Sequence, residues 1–252
     1  MTGIRIDEQD GVAVVRLAHG KVNALDLELL DEITKVFTTT EAEAVVLTGT
    51  GRAFSAGVDL WRMLDGGPDY VRAFLPALND AFLAVFGFGR PTVAAINGHA
   101  IAGGAILAAA CDHRVMADGA GTIGVTEILV GVPFPPAALE ILGHAFGEPA
   151  ARRAALTGYT LSPAEARAAG HVDEVIELEL LLGTAVARAH PQAPPDTFRL
   201  TKAQLQATVH ERLERRRPIE DPQVLDLWLR GVEDGRIRRY MDEIAGRPRP
   251  AR

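Results

Sequence analysis

Short apolar runs alternate with amphipathic stretches along the first half of the chain. Residues 12–17, 44–48 and 92–96 are rich in Val and Ala and end at glycine or polar residues, a pattern typical of buried strands. Apolar residues recur at helical spacing between the first two runs, which predicts a helix opened by Asp26. Its apolar positions are Leu25, Leu29, Leu30, Ile33 and Phe37. The alternation of strand and helix predicts an α/β fold.

Helical patterns replace strands toward the C-terminus. Ser162 and Glu165 are spaced as a capping box, which predicts the start of a helix. From about residue 178 the chain is predicted to be helical, with prolines as breaks between helices, including Pro218. We place a boundary near residue 190. It separates a core of residues 1–190 from a helical region of residues 191–252.

Composition and charge exclude several classes of protein. The chain has 252 residues and a net charge of -7, which argues against a surface built to grip nucleic acid. Its most apolar stretch, residues 92–110, contains Asn97 and His99, so we interpret it as strand, turn and helix and expect no membrane partner. Cys111 is the single cysteine, and the first ten residues lack the pattern of a secretory signal. These features favour a reducing, cytoplasmic location.

Two glycine-bearing turns, at residues 54–59 and 98–104, are the chief candidates for chemistry. Glycine allows a backbone to approach a ligand closely, and a helix that opens after such a turn leaves free NH groups at its positive end. Two converging NH groups would form an oxyanion hole. From spacing alone, simple connecting turns are the commoner explanation of such glycines.

Four segments together carry a family resemblance. They are VNAL at residues 22–25, VVLTGTGRAFSAGVDL at 45–60, RPTVAAINGHAIAGGAILAAACD at 90–112 and ALTGYTLSPAEARAAGHV at 155–172. In this order and spacing the chain resembles the crotonase family, the enoyl-CoA hydratase/isomerase superfamily. The resemblance implies a spiral of repeated ββα units with a C-terminal helical region that packs between subunits, in a homotrimer or homohexamer. It also implies an acyl-CoA thioester substrate and an enolate intermediate.

The resemblance also assigns residues to the reaction. It places the two oxyanion-hole NH groups on Val58 and Gly103, and the proton-transferring carboxylate on Glu127. Hydratases of the family have a second glutamate three residues after the glycine of the oxyanion hole, where this chain has Ile106. Because a double-bond shift needs one base, this departure favours a Δ3,Δ2-enoyl-CoA isomerase. In an apolar pocket Glu127 is expected to have a raised pKa.

The remaining expectations concern substrate contacts. We expect the substrate to contact Ala56, Gly57, Gly104 and Ile106, and the CoA phosphates to contact Lys21 and Lys202, the latter possibly across a subunit interface. Residues 64–76 depart from the family pattern and are expected to shape the acyl pocket. No metal is expected, because the histidines lack the spacing of zinc ligands, and no cofactor beyond the CoA of the substrate.

Several alternatives remain open. The chain could be an enoyl-CoA hydratase, or another acyl-CoA hydrolase or decarboxylase in which Ile106 only dries the pocket. It could also be a CoA-thioester binder that has lost turnover. Glu127 itself could be a helix-face or capping acid without a catalytic role.

Overall fold

The protein is a layered arrangement of two β-sheets and ten helices in the computed structural model, which describes residues 3–246. The strands are β1 (Ile4–Gln9), β2 (Val12–Leu17), β3 (Ala44–Thr48), β4 (Ala53–Ser55), β5 (Thr92–Ile96), β6 (His99–Ile101), β7 (His113–Ala117), β8 (Ile123–Gly124), β9 (Thr160–Leu161) and β10 (Glu174–Ile176). The helices are α1 (Leu27–Thr39), α2 (Leu60–Phe86), α3 (Gly103–Ala110), α4 (Glu127–Val130), α5 (Pro136–Phe146), α6 (Glu148–Thr157), α7 (Pro163–Ala168), α8 (Leu178–Ala189), α9 (Pro195–Glu233) and α10 (Arg236–Gly246).

The two sheets have six and four strands. The larger sheet has the strand order β1-β2-β3-β5-β7-β10, in which β2 through β10 pair in parallel and β1 is antiparallel. The smaller sheet has the order β4-β6-β8-β9, with β9 antiparallel at its edge. From β3 onward, each successive pair of strands therefore contributes one strand to each sheet, which confirms the predicted α/β spiral.

Both faces of the larger sheet are buried along β2, β3, β5 and β7, which explains the nearly continuous apolar sequence of these strands. One face packs against helices α1, α2 and α3 through Leu17, Leu47 and Ile96. The opposite face packs against α8, and its members alternate in sequence with those of the first face. The sheet residues of this face are Val12, Val14, Ala44, Val46, Val93, Ala95, Val115 and Ala117, and they pack against Leu181, Ala185, Val186 and Ala189 of α8.

The helix termini follow the sequence signals closely. Asp26 caps α1 by accepting a hydrogen bond from the NH of Leu29, and Ser162 and Glu165 form both halves of a capping box at α7. Residues 64–76, which had no recognisable pattern, belong to α2. This helix is kinked at Gly67, whose φ of 62° lies in the left-handed region.

The prediction that Pro218 separates two helices is wrong. Helix α9 continues through Pro218 and Pro222 over 39 residues. The ion pairs Arg216–Glu220 and Arg217–Asp221 span the first of these prolines at i,i+4 spacing and support the helix there. Tertiary packing adds to this support, because the buried Val224 holds the same stretch against the core.

The C-terminal helices lie against the core. Gln206 of α9 donates a hydrogen bond to the backbone oxygen of Phe86, at the end of α2, and the Trp228 indole donates one to the backbone oxygen of Pro133. Helix α8 ends at Ala189 and α9 begins at Pro195, so the boundary predicted near residue 190 falls between two helices. The last residues of the predicted helical region, 247–252, lie outside the described part of the chain. Across residues 3–246, every helix is too short or too polar to cross a bilayer.

Candidate active site

The loop that follows β4 presents the NH of Val58 toward a cavity. Val58 forms an isolated parallel bridge with Leu25, in which Leu25 NH donates to Gly57 O at 2.8 Å and Asp59 NH donates to Leu25 O at 2.9 Å. Because successive backbone groups of an extended segment point to opposite sides, the NH of Val58 points away from Leu25. It donates no hydrogen bond to any residue of the described chain, so it is free to meet a ligand.

The second NH group opens helix α3. Gly103 is the first residue of this helix, and its NH therefore has no acceptor one turn earlier. The preceding Ala102 has a φ of 50°, a strained value for alanine, and its carbonyl accepts the NH groups of Ala105 and Ile106. The positive end of the α3 dipole thus lies at Gly103.

The two NH-bearing segments approach each other closely at Gly57. Gly57 has a φ of 82°, and a Cβ placed on it would lie 2.6 Å from Ile101 O and 3.2 Å from Gly103 N. Real Cβ atoms do not approach backbone oxygens so closely, so glycine is required here. The predicted close approach of the two glycine turns is therefore a feature of the fold, and it places Gly57, the neighbour of Val58, against the backbone of Gly103.

Glu127 begins the short helix α4 and is buried, with only 6% of its surface exposed. Its Oε2 atom makes no hydrogen bond with the described residues. Burial raises the pKa of Glu127 to about 8, a rise that the backbone NH groups of Glu127 and Thr126 oppose only in part. Glu127 therefore holds a proton through much of the neutral range and can release it at little cost.

A single cavity of about 420 Å³ joins Val58 and Glu127. Its wall is mainly apolar, and within the described residues its carboxylates are Glu127 and Asp59. Asp59 is occupied as the N-cap of α2, where its Oδ1 accepts the NH of Arg62 at 3.1 Å. The full lining consists of Val22, Ala24, Ala56, Val58, Asp59, Leu60, Trp61, Ile101, Ala102, Thr126, Glu127, Val130, Val132, Trp228, Tyr240, Met241 and Ile244.

These features can polarise a carbonyl and move a proton beside it. The free NH of Val58 and the buried acid Glu127 border one cavity, an arrangement suited to forming an enolate. A family model described as "Enoyl-CoA hydratase/isomerase" matches residues 7–226. The chain belongs to the enoyl-CoA hydratase/isomerase family.

Among the relatives in the enoyl-CoA hydratase/isomerase family, some are named as isomerases and others as hydratases. The chain is 35% identical to "Enoyl-CoA delta isomerase 1, mitochondrial" of Homo sapiens over 219 residues, which cover 84% of this chain and 72% of that protein. It is 39% identical to a "Putative enoyl-CoA hydratase" of Thermus thermophilus over 211 residues, covering 79% and 82%. The crystal structure of human mitochondrial delta3-delta2-enoyl-CoA isomerase superposes with a TM-score of 0.85 and 28% identity, covering 96% of each chain.

The other residues inferred from the family resemblance lie at different positions relative to the cavity. Ala56 lines the cavity, and Gly57 supports it from behind. Gly104 is buried against β4, because a Cβ there would lie 2.3 Å from Ser55 O, and Ile106 is buried one turn along α3. Neither Gly104 nor Ile106 is part of the cavity wall. Lys21 is exposed in the turn just before Val22, beside the cavity.

Lys202 lies apart from the site. Its Nζ atom is buried and binds both carboxylate oxygens of Asp112, at 2.8 and 2.9 Å. Asp112 Oδ2 also accepts the NH and the hydroxyl of Thr92. Lys202 therefore ties α9 to the end of α3, and it borders a different cavity from the one that contains Glu127. Its charge is already neutralised within its own chain, which leaves it poorly suited to bind CoA phosphates.

Sequence reasoning missed the C-terminal part of the cavity wall. Trp228 of α9 and Tyr240, Met241 and Ile244 of α10 contribute side chains to it. These residues are more than a hundred positions from Glu127, and Trp228 and α10 follow the region matched by the family model. A cluster of large apolar residues in otherwise charged helices is the one signal that could have indicated them.

Proposed function

We propose that the protein is an enoyl-CoA isomerase that moves the double bond of a 3-enoyl-CoA thioester from C3 to C2. The observation that carries this proposal is the buried carboxyl group of Glu127 in the cavity beside Val58, whose Oε2 atom has no hydrogen-bond partner among the described residues. The only other cavity carboxylate among the described residues, Asp59, caps a helix. Resemblance to relatives named as delta isomerases supports the same choice.

The first step is removal of a proton from C2. The thioester oxygen accepts the NH groups of Val58 and Gly103, and the ionised Glu127 takes the C2 proton. The C–H electron pair forms a C1–C2 double bond, and the carbonyl electrons move onto the oxygen. The resulting dienolate is held by the two NH groups, each worth about 3 kcal/mol or more at such a site. Because the NH groups are fixed by the bridge at Leu25 and by α3, they need no reorganisation.

The second step returns the proton to C4. The neutral Glu127 donates it there, the C3–C4 double-bond electrons form the new C4–H bond, and the C1–C2 pair becomes the C2–C3 double bond as the carbonyl re-forms. Glu127 ends the cycle as a carboxylate, so atoms and charge balance without water or a cofactor beyond the substrate's CoA. An apolar wall suits this chemistry, because it keeps water away from the dienolate.

Hydration is the second candidate function. It is favoured by one observation, the 39% identity to a relative named as a putative hydratase. Addition of water requires a group that positions the water and another that exchanges a proton with C2. The buried aliphatic Ile106 offers neither on the α3 side.

Three thioester substrates separate these functions. A 3-enoyl-CoA, a 2-enoyl-CoA and a malonyl-type thioester are incubated with the wild type, with Glu127→Gln and with Glu179→Gln. Glu179 is exposed on α8, which makes it the matched control. We expect the wild type and the control to isomerise the 3-enoyl-CoA, and Glu127→Gln to lose at least a hundredfold.

Exchange of C2 protons provides a second readout. In D₂O, a saturated acyl-CoA should exchange its C2 hydrogens with the wild type and not with Glu127→Gln, because exchange needs only enolate formation. Net hydration of 2-enoyl-CoA by the wild type at a rate above isomerisation would contradict the isomerase proposal. Equal turnover by wild type and Glu127→Gln would contradict the role of Glu127.

We also propose that the protein assembles as a homotrimer or a pair of trimers. A groove of about 900 Å³ between α4–α6 and α9 is lined by apolar and charged side chains, and several of the apolar ones are exposed. Ile128, Leu156 and Ile219 are 45%, 66% and 64% exposed. Burial of such a surface against another copy of the chain would remove apolar area from water. Sedimentation equilibrium tests this assembly, and a monomer at micromolar concentration would contradict it.

A further inference from the structure

Trp228 lies on α9 close to residues that line two further cavities. Its side chain lines the catalytic cavity, and one turn earlier on α9 Val224 lines both a second cavity of about 270 Å³ and the large groove. Leu225 lines the second cavity as well, together with Pro135. The residues one turn before this tryptophan thus face space that the catalytic cavity does not reach.

The catalytic cavity has an open end and a closed end. Val22, Trp61 and Ile244 are 45%, 43% and 43% exposed, and they form its mouth. Trp228 and Val132 are 2% and 3% exposed and lie at the interior end. The phosphates of CoA are charged and must stay in water, so the CoA extends through the mouth. With the thioester at Val58, the acyl chain points toward the interior end.

The indole of Trp228 is held in place by its own hydrogen bond. Its Nε1 atom donates to the backbone oxygen of Pro133 at 3.0 Å, in the segment that joins α4 to α5. This segment also carries Val132, which lines both the catalytic cavity and the groove. A large side chain that is buried and anchored at its one polar atom cannot swing aside without leaving an unpaired donor.

We propose that Trp228 is the end wall of the acyl pocket and restricts the enzyme to short acyl chains. This inference rests on the proposed function, since it assumes that a thioester binds with its oxygen at Val58 and Gly103. Trp228 lies just beyond residues 7–226, the part of the chain that the family model matches. The restriction is thus a property of this chain's own C-terminal helix.

A chain-length series tests the proposal. The substrates are 3-hexenoyl-, 3-octenoyl-, 3-decenoyl-, 3-dodecenoyl- and 3-hexadecenoyl-CoA, and the variants are Trp228→Ala, Trp228→Leu and Trp228→Phe. Each buried methylene should raise kcat/KM by about fourfold until the chain meets a wall. We expect the wild type to reach its maximum early in the series and to act poorly on 3-hexadecenoyl-CoA. In Trp228→Ala the maximum of kcat/KM should move to longer acyl chains, because loss of the indole would join the catalytic cavity to the second cavity.

The matched variants separate the wall from the hydrogen bond. Trp228→Phe keeps a large ring and loses the NH, so it should keep the wild-type preference. Trp228→Leu should shift the preference in the same direction as Trp228→Ala, and it decides the question if the alanine variant fails to fold by circular dichroism. A wild type that prefers 3-hexadecenoyl-CoA, or folded alanine and leucine variants with an unchanged profile, would overturn the proposal.

Binding of saturated acyl-CoA molecules distinguishes failure of the wall from failure of the proposed reaction. Kd for the same chain lengths is measured by calorimetry with wild type and Trp228→Leu. Absence of isomerisation together with a Trp228-dependent length limit in Kd would reject the reaction and keep the wall. Turnover with a length limit that ignores Trp228 would reject the wall and keep the reaction.

Discussion

The hydroxyl of Ser55 donates a hydrogen bond of 2.7 Å to the backbone oxygen of Asn23. The same hydroxyl accepts the NH of Gly57 at 3.1 Å, one residue before Val58. The Asn23 side chain holds the strand before this loop, with Nδ2 donating to Ala53 O and Phe54 O and Oδ1 accepting the NH of His19. These buried bonds fix the direction of the loop that carries the Val58 NH.

Loss of the Ser55 hydroxyl should therefore impair catalysis more than binding. Ser55→Ala frees the Gly57 NH and lets the loop relax, and a small misplacement of an oxyanion donor costs about tenfold to a hundredfold in rate. We expect kcat for isomerisation to fall by about that factor while KM changes little. The absorbance of bound 2,4-hexadienoyl-CoA should also lose the red shift that a polarised carbonyl produces.

Ser162→Ala provides the control for general destabilisation. Ser162 caps α7 away from the site, and its loss should cost about 1 kcal/mol of stability without an effect on kcat. If Ser55→Ala retains the full red shift and kcat of the wild type, the hydroxyl does not position the oxyanion hole.

The rate of isomerisation should depend on the ionisation of Glu127. The base form is needed to remove the C2 proton, and the pKa of Glu127 in the free protein is raised to about 8. We expect kcat/KM to rise about tenfold between pH 7 and pH 9 and to level off above the pKa. A stopped-flow profile of kcat/KM from pH 6 to pH 10 measures this. A profile that is flat across this range would show that Glu127 does not titrate as the base.

The same burial should make Glu127 costly for folding at high pH. The pKa of the carboxyl is near 4.5 in the unfolded chain and about 8 in the folded chain. Between these values the folded state keeps a proton that the unfolded state releases, so stability falls as the pH rises and the loss is complete above pH 8. Glu127→Gln should therefore gain stability relative to wild type by an amount that grows to the order of 4 kcal/mol.

Urea unfolding at pH 5, 7 and 9 measures this gain. The buried amide of Glu127→Gln changes the free energy of unfolding by the same amount at each pH. The diagnostic quantity is therefore the change with pH of the stability difference between the variant and the wild type. Glu179→Gln should show a difference that is independent of pH. A Glu127→Gln variant whose stability relative to wild type stays constant from pH 5 to pH 9 would mean that the carboxyl is not buried as described.

Much of the architecture follows from local patterns. The strands at residues 12–17, 44–48 and 92–96 have the bounds predicted from their apolar runs, because both faces of the sheet are covered and every position is selected for burial. Strand β1 was not predicted, because its side chains after Ile4 are exposed and its sequence has no apolar pattern. Helix α2 was not predicted either, because Gly67 and two prolines interrupt its periodicity.

The candidate site was predictable only where backbone requirements leave a mark in sequence. Gly57 has to be glycine because of its φ and the nearby Ile101 carbonyl, and Gly103 is the first residue of a helix. Both positions can therefore be recognised in the sequence as glycines within turns. The far wall of the cavity has no such backbone requirement. Trp228 and Met241 reach it through the packing of α9 and α10, and helix periodicity does not specify which distant element a buried face will meet.

Removal of Lys202 should weaken folding and leave substrate affinity unchanged. Its Nζ atom neutralises Asp112, which is held by Thr92, so Lys202→Met leaves a partly buried carboxylate without its cation. We expect the free energy of unfolding to fall by about 2 kcal/mol, since the 30% exposure of the Asp112 side chain moderates the loss. Lys35→Met, at an exposed position of α1, is the control. A raised KM with unchanged stability would instead indicate that Lys202 contacts CoA.

His171 should make the protein sensitive to mild acid. The residue is 1% exposed, stacks on Phe146 with ring centroids 4.2 Å apart, and has no hydrogen bond to either ring nitrogen among the described residues. Burial, and secondarily the charges of Arg153 and Arg114, lowers the pKa of His171 to about 4. Below about pH 6.5 His171 binds a proton in the unfolded chain, whereas in the folded chain it stays neutral down to about pH 4. The free energy of unfolding therefore decreases as the pH falls from 6.5 toward 4.

Replacement of this histidine by leucine removes the titrating group. His171→Leu should resemble wild type at pH 7.5 within the effect of the lost stacking, and should be more stable by a margin that grows to about 2 kcal/mol at pH 4.5. Thermal unfolding of the two proteins across that range gives the margin directly. His99→Leu makes the same change at an exposed position and should leave the acid sensitivity intact. A His171→Leu protein that loses stability with falling pH as steeply as wild type would place the acid-sensitive group elsewhere in the chain.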